Sequence, residues 1–158
     1  GEMRECFRFK ALQDYWHSHH VSPEYSIALE NVRNMVTSIT PERIEKEVEK
    51  AAETLYRQGV KIVAVTLGRE GAYIYSKDGG CVVPGFEVTQ IGDTNGAGDS
   101  FWGGFLYQII VSGKRLEELT KDDLVKFARF GNAVASLCVE KKGAIPAMPT
   151  LEQVKKRL

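Results

Sequence analysis

The chain lacks three features that would each point to a particular class of protein. Its 21 Lys and Arg residues balance 21 Asp and Glu residues, so no net charge attracts it to nucleic acid or to anionic lipid. No apolar run approaches the roughly 20 residues needed to cross a membrane, and no secretory leader is visible. The 3 cysteines are widely spaced and odd in number, which does not suit a disulfide framework. We therefore expect a cytoplasmic protein with reduced thiols that binds neither nucleic acid nor a membrane.

The composition is otherwise that of an ordinary globular protein. The 158 residues suit one domain, and 43% hydrophobic with 27% charged residues is usual for a soluble chain. A helix is predicted to begin at Pro41 and to end before Gly59. The apolar run VKIVAVTL follows it, as is typical of a strand buried on both faces. The helix and strand together predict half of a βαβ unit in a mostly parallel sheet.

Turn and cap signals organise the rest of the chain. GAYIYS and CVVP flank Asp78 and Gly79, which favour a hairpin turn, and FEVTQIG is predicted to be a further strand. Helices are predicted over residues 97 to about 111, after Thr120, and after Thr150.

The stretch GDTNGAGDS, residues 92–100, is the most informative of the sequence. Glycines let a backbone approach a ligand closely, and the first N–H groups of a helix have no partner inside it, so they can point at an anion. The spacing matches neither the G-x-x-x-x-G-K-[ST] phosphate loop nor G-x-G-x-x-G, because Phe101 stands at the third glycine position. Asp99 either complements the helix dipole or accepts a proton in phosphoryl transfer. A turn that merely joins a strand to a helix also remains open.

DTNGAGD, followed by a Gly-containing helix, resembles the C-terminal signature of the ribokinase family of sugar and nucleoside kinases, also called PfkB kinases. TLGREG at 66–71 resembles the family's nucleotide-binding strand end, and KKGAIPAMP at 141–149 resembles its closing loop. The resemblance implies an α/β, Rossmann-like ribokinase-type fold with three αβα layers, incomplete because only the C-terminal part is present. We expect residues 1–39 to be a poorly matching segment and residues 40–158 to be a PfkB-type ATP-binding domain.

The resemblance assigns roles to individual residues. Asp99 matches the family's general base, which takes the proton from the acceptor hydroxyl. The backbone N–H groups that match the anion hole belong to Gly96, Ala97 and Gly98. The residues that match the nucleotide site are Thr66, Gly68, Gly71 and Asn132. An ordinary strand-ending turn is the alternative for the first three of these, and a solvent-facing side chain is the alternative for Asn132.

The resemblance also implies metal ions. A monovalent cation, K+, would be held by the carboxylate of Asp93 and by the backbone carbonyls of Asn95, Cys138, Lys141 and Gly143. Asp93 could equally cap the following helix. Ala147 stands where the family often has Ser, which removes one side-chain oxygen.

Magnesium is less well supported by the residues. The N-x-x-E arrangement that helps the family hold Mg2+ is not reproduced in ALENVRNMVTS, where Glu30, Asn31 and Asn34 are the nearest substitutes. The HSHH segment at 17–20 contains metal-ligand residue types, but no second cluster completes a site.

The function implied is ATP-dependent phosphorylation of a sugar hydroxyl, of the fructokinase type, with ATP and Mg2+ as cofactors and K+ as a further candidate. A nucleoside kinase is the close alternative, and a non-catalytic nucleotide-binding or dimerising fragment is the alternative from another class. Because the sugar-binding half is absent, we expect the chain alone to be weak or silent toward sugars. We also expect it to form a homo-oligomer, a dimer, that buries at least about 1,000 Å2 per contact.

Overall fold

In the computed structural model of the chain, residues 41–158 are described, with side chains from residue 46 onward. Residues Glu45–Leu158 form one compact unit. The elements in chain order are α1 (Pro41–Arg57), β1 (Val63–Thr66), β2 (Gly71–Ser76), β3 (Gly79–Pro84), α2 (Ala97–Ser112), α3 (Lys121–Val139) and α4 (Leu151–Arg157). The segment 1–39, with its magnesium candidates and HSHH, lies outside the described residues.

The three strands form one antiparallel sheet in the order β1-β2-β3. Val63 of β1 lies opposite Tyr75 of β2. The predicted parallel arrangement is therefore wrong for this part of the chain. The chain reverses between β1 and β2 through a short 3-10 turn at Gly68–Glu70, so no crossover helix intervenes. Gly68 and Gly71 have φ values of +60° and +105°, which favour glycine and make this reversal possible.

The predicted hairpin is confirmed, whereas the predicted strand after it is wrong. Ser76 pairs with Gly79, so Lys77 and Asp78 form a two-residue turn between β2 and β3. Residues 85–92, which include FEVTQIG, contain no strand. Phe86 packs instead against the cluster around Phe130. Its ring is therefore partly buried by helix residues, without a neighbouring strand.

The sheet is covered on both faces by helices. Because side chains alternate along a strand, Tyr73 faces α1 and packs with Ala52 and Val63. On the opposite face, Ala72, Ile74 and Val83 pack against residues of α2 and α3 that include Phe101, Phe105 and Phe127. The described residues thus have the three-layer αβα arrangement that the family resemblance implied.

Two glycines bring α2 and α3 close together. A Cβ on Gly131 would lie 2.8 Å from the ring of Phe101, and a Cβ on Gly104 would lie 2.9 Å from Val134. The rings of Phe101 and Phe105 stack with centroids 5.8 Å apart. This contact fixes the first turn of α2 against the sheet.

Helices α3 and α4 begin with the side-chain caps predicted for them. Thr120 accepts a hydrogen bond from the N–H of Asp123, and Thr150 accepts one from the N–H of Gln153. The Asp123 carboxylate in turn accepts two hydrogen bonds from Lys114 Nζ, at 2.8 and 2.9 Å, and one from the N–H of Thr120. The bonds from Lys114, followed by those from Thr120, hold the pKa of Asp123 well below its usual range. Within residues 41–158, none of the helices is both long enough and apolar enough to span a membrane.

Candidate functional site

A cleft of about 100 Å3 lies between the β1–β2 turn, the first turn of α2 and one side of α3. The lining residues are Thr66, Gly68, Gly71, Ala97, Gly98, Phe101, Asn132 and Ala135. All of them except Phe101 and Ala135 are residues predicted from the sequence. The fold thus brings the TLGREG segment, the GAGD segment and Asn132 to one place. Phe101 and Ala135 were missed because apolar helix residues carry no motif signal.

The N-terminus of α2 offers unpaired backbone donors. Gly96 is the residue before the helix, has φ +79°, and no side chain caps this end. The N–H of Ala97 donates to the Thr94 carbonyl at 3.3 Å, whereas the N–H groups of Gly96, Gly98 and Asp99 have no acceptor within residues 41–158. The free donors are therefore Gly96, Gly98 and Asp99 rather than the three consecutive amides predicted. A helix N-terminus with free donors favours an anion.

The Asp99 side chain is exposed in the first turn of α2. Within the described part of the chain, its carboxylate makes no hydrogen bond or ion pair. In the sequence, Asp99 lies between Gly98 and Phe101, which both line the cleft, although Asp99 itself does not. The carboxylate is thus exposed and without a partner among the described residues.

Asp93 does not cap α2, so that alternative is wrong. Its carboxylate accepts hydrogen bonds from the N–H of Asn95 at 3.0 Å, from the Asn95 side-chain amide at 3.3 Å and from the N–H of Gly143 at 3.4 Å. The N–H of Asn95 is the main cause that lowers the pKa of Asp93, although partial burial opposes it. The carboxylate is therefore ionised at neutral pH and joins the loop before α2 to the closing loop.

The loop before α2 is held by backbone bonds to the end of α3, directly before the closing loop. The N–H groups of Gly92 and Asp93 donate to the Val139 carbonyl at 2.8 and 3.3 Å. A Cβ on Gly96 would lie 2.6 Å from the Cβ of Ala144, so the two loops are in close contact. Of the predicted potassium ligands, Asp93, Asn95 and Gly143 are brought together by these contacts.

The other two predicted potassium ligands lie nearby on the chain. The Cys138 carbonyl accepts the N–H of Lys141 at 3.2 Å, and the Cys138 thiol is buried. A carboxylate and backbone carbonyls are oxygen ligands of the type that hard cations take. By contrast, residues 46–158 contain no group of three His, Cys, Asp or Glu side chains placed to hold a metal.

Asn132 is buried, so the solvent-facing alternative is wrong. Its Nδ2 donates to the carbonyls of Val83 at 2.9 Å and Pro84 at 3.0 Å. Both amide hydrogens are thus used to tie α3 to the end of β3, and only the Oδ1 is left for another partner. The side chain therefore has a structural task in addition to lining the cleft.

Gly71 is required both by its positive φ and by packing. A Cβ at this position would collide with the backbone carbonyl of Val83 on β3. At Gly68 and Gly98, by contrast, a Cβ would meet no heavy atom within 4 Å. The strand-ending turn therefore explains Gly71 fully, whereas the space at Gly98 is open.

The chain is similar to known fructokinases and ribokinases. The chain is 41% identical to fructokinase-1 of Zea mays over 100 residues, which are 63% of this chain and 30% of that protein. Fructokinase of Vibrio cholerae, solved with fructose, ADP and calcium bound, has a TM-score of 0.63 and 26% identity and covers 82% of this chain and 38% of its own. Ribokinase of Arabidopsis thaliana, solved with ribose and ATP, has a TM-score of 0.56 and 32% identity and covers 74% of this chain and 34% of its own.

The chain spans only about a third of the length of these relatives, at 30% of the maize enzyme. The match to the family is nevertheless long. The model of the pfkB family of carbohydrate kinases matches residues 29–151, well over half of the chain. The α/β architecture, with a sheet between helical layers, agrees with the ribokinase-type fold of the solved structures. The chain belongs to the pfkB carbohydrate kinase family.

Proposed function

We propose that the chain carries the ATP-binding and phosphoryl-transfer part of a fructokinase-type sugar kinase. The observation that supports this most is the convergence of Thr66, Gly68, Gly98 and Asn132 on one cleft beside free N–H donors. These residues belong to three segments of the chain. The fructose and ADP bound to the Vibrio cholerae enzyme, and the ribose and ATP bound to the Arabidopsis enzyme, support the substrate class.

In this proposal the phosphates of ATP lie at the N-terminus of α2. The N–H groups of Gly96, Gly98 and Asp99 would donate to phosphate oxygens and offset the negative charge that builds up there during transfer. The Asp99 carboxylate would orient the sugar hydroxyl and accept its proton late in the step, because a sugar hydroxyl is too weak an acid to ionise beforehand. ATP supplies the transferred phosphoryl group.

The size of the cleft limits what this chain can enclose. Its volume is about 100 Å3, whereas sites for whole small molecules usually measure about 300–1,000 Å3. The described residues would therefore hold the phosphate end of ATP, with Thr66 and Asn132 toward the rest of the nucleotide. The sugar would need surface from the part of the kinase that this chain does not span.

The proposed ions would act beside the phosphates. K+ would be held by Asp93 and by the carbonyls of Asn95, Cys138, Lys141 and Gly143. Mg2+ would neutralise phosphate charge, and its protein ligands would come from outside the described residues. Cys81 and Cys138 are free thiols, which supports a reducing, cytoplasmic location.

A second function is a nucleotide-binding fragment that self-associates without turnover. The outward face of α2 supports it, because Trp102, Leu106 and Ile110 are 40%, 48% and 76% exposed and follow one another at helical spacing. A second copy of the chain would cover this face and bury its apolar side chains. A nucleoside kinase remains the close alternative within the first function.

One experiment separates these functions. The purified chain is titrated with ATP and then assayed for ATP consumption against a panel of sugars and nucleosides. ATP binding with phosphorylation of fructose, even at a low rate that Asp99→Asn abolishes, supports the kinase proposal, and phosphorylation of adenosine instead supports the nucleoside kinase. ATP binding without turnover on any acceptor supports the fragment, and absence of ATP binding refutes all three.

A further inference from the structure

A second cleft, larger than the candidate active-site cleft, lies among α2, α3 and α4. Its volume is about 400 Å3, and its lining residues are Gln108, Lys126, Arg129, Phe130, Lys155 and Leu158. None of these residues lines the candidate active-site cleft. The two clefts are therefore separate, and the roles proposed above do not account for the second one.

Three basic side chains, Lys126, Arg129 and Lys155, line this cleft. Among the residues that the structure describes, no carboxylate lies within 4 Å of the charged groups of Lys126, Arg129 or Lys155. The other two cations of α4 form ion pairs. Lys156 pairs with Glu152 at 2.8 Å, and Arg157 pairs with Glu140 at 2.7 Å. Of the three cations of α4, Lys155, which lines the cleft, is thus the one without a carboxylate partner among the described residues.

Arg129 is held in place by an aromatic ring. Its guanidinium carbon lies 5.1 Å from the centroid of Phe86, which is the geometry of a cation–π contact. This contact restricts the rotamers of Arg129 before any ligand arrives, so less entropy is lost when a ligand binds. A guanidinium fork can donate two parallel hydrogen bonds to a phosphate group.

The rest of the cleft is formed by Gln108 and by the apolar side chains of Phe130 and Leu158. Phe130 stacks on Tyr107 with ring centroids 5.8 Å apart and is itself buried. Leu158, which is 48% exposed, forms another apolar part of the wall. A ligand that suits this cleft would have an anionic group at one end and a ring or aliphatic body at the other.

We propose that this second cleft is a binding site for a small phosphorylated organic molecule. Its phosphate contacts Lys126, Arg129 and Lys155, and its carbon skeleton lies against Phe130 and Leu158. The volume favours a small molecule, since such sites usually measure about 300–1,000 Å3. Binding of nucleic acid would require a basic surface that extends beyond one cleft, and the chain has a formal net charge of 0.

The test uses phenyl phosphate, with benzyl alcohol as its uncharged counterpart. Backbone amide resonances of the 15N-labelled chain are followed while each probe is added to 10 mM, about the upper limit for a weak specific site. Phenyl phosphate should shift the amides of residues 126–130 and 155–158 along a saturating curve, and benzyl alcohol should shift them at least about tenfold less. Amides 96–99 report separately on the candidate active-site cleft.

Variants identify the groups responsible. Arg129→Gln combined with Lys155→Gln should weaken phenyl phosphate binding at least about tenfold. Lys156→Gln removes a cation of α4 that is paired with Glu152, and it should change binding less than about twofold. Arg129→Lys keeps the charge and should be intermediate. The inference is overturned if the amide shifts do not saturate, if the two probes cause equal shifts, or if the largest shifts are those of residues 96–99. It is also overturned if Lys156→Gln weakens binding as much as the double variant does. These positions lie on the surface, and retained resonance dispersion checks the fold.

Discussion

Replacement of Gly98 by valine should separate the proposed phosphate site from the stability of the fold. The Cβ of a side chain at Gly98 would meet no protein atom within 4 Å, and Gly98 is not among the glycines with positive φ. Glycine is the poorest helix former apart from proline, so the replacement should be neutral or should stabilise α2 by a few tenths of a kcal/mol, up to about 0.5 kcal/mol. We therefore expect the melting temperature to stay within a few degrees of the parent value.

The expected loss of ATP affinity follows from the position of Gly98 in the cleft wall. The valine side chain would occupy part of a space of about 100 Å3 and would crowd the free N–H of Gly98. Loss of one hydrogen bond to a charged group costs about 1.5–3 kcal/mol. That range corresponds to roughly 10- to 150-fold weaker ATP binding. The loss in binding should thus exceed any loss in stability.

The matched control is Gly103→Val on the same helix. Gly103 is also exposed, and a Cβ there also meets nothing within 4 Å, but it does not line the cleft. Calorimetric titration with ATP and thermal melting would be carried out on both variants. The reasoning is refuted if Gly98→Val keeps parental ATP affinity, or if both variants lose affinity and stability to the same extent.

Three further predictions concern other parts of the chain. In a form of the protein that is competent for catalysis, Asp99→Asn should lower turnover about 10²- to 10⁴-fold, the usual contribution of a positioned base, with nearly unchanged ATP affinity, and parental turnover would contradict the role of Asp99. Because the pKa of Asp123 is lowered in the folded state, its stabilising contribution is complete above the ordinary carboxyl pKa of about 3.9 and is lost as the pH falls below it. Asp123→Asn should therefore reduce the acid dependence of melting between about pH 5 and 2, and Asp122→Asn should not; equal slopes would refute this. Light scattering across a dilution series should detect self-association that Ile110→Glu weakens, and a coupled assay should find little or no phosphorylation of fructose. A clean monomer that phosphorylates fructose at an ordinary rate would contradict both expectations.

Local signals in the sequence predicted most of the described elements. Thr120 and Thr150 cap α3 and α4 as expected, and the turn beside Gly79 joins two paired strands. These predictions succeed because each depends on residues within three or four positions of one another. The ribokinase resemblance added the αβα layering and the residues of the cleft.

The errors arose where distant contacts decide the structure. The strand predicted at FEVTQIG is wrong because Phe86 finds its partner in α3, a contact that periodicity cannot reveal. The apolar run of β1 suggested a parallel strand, but the positive φ of Gly68 and Gly71 returns the chain directly. Asn132 was given a solvent-facing alternative because its acceptors, the carbonyls at the end of β3, lie 48 and 49 residues away.

Helix α2 has a glycine C-cap but no side-chain cap at its N-terminus. Glycines in the left-handed conformation bound it at positions 96 and 113, no side chain caps its first turn, and no basic residue lies in its last turn. Its order therefore depends on the burial of Phe101 and Phe105 against α3 and the sheet. Fraying that reached Phe101 would expose that ring, so the first turn, which carries the N–H groups of Gly98 and Asp99, should stay ordered as long as the core beneath it does. The aromatic core therefore fixes the positions of the N–H donors at this helix. A substitution that creates a cavity in that core would disorder the anion site without changing any residue that contacts a ligand.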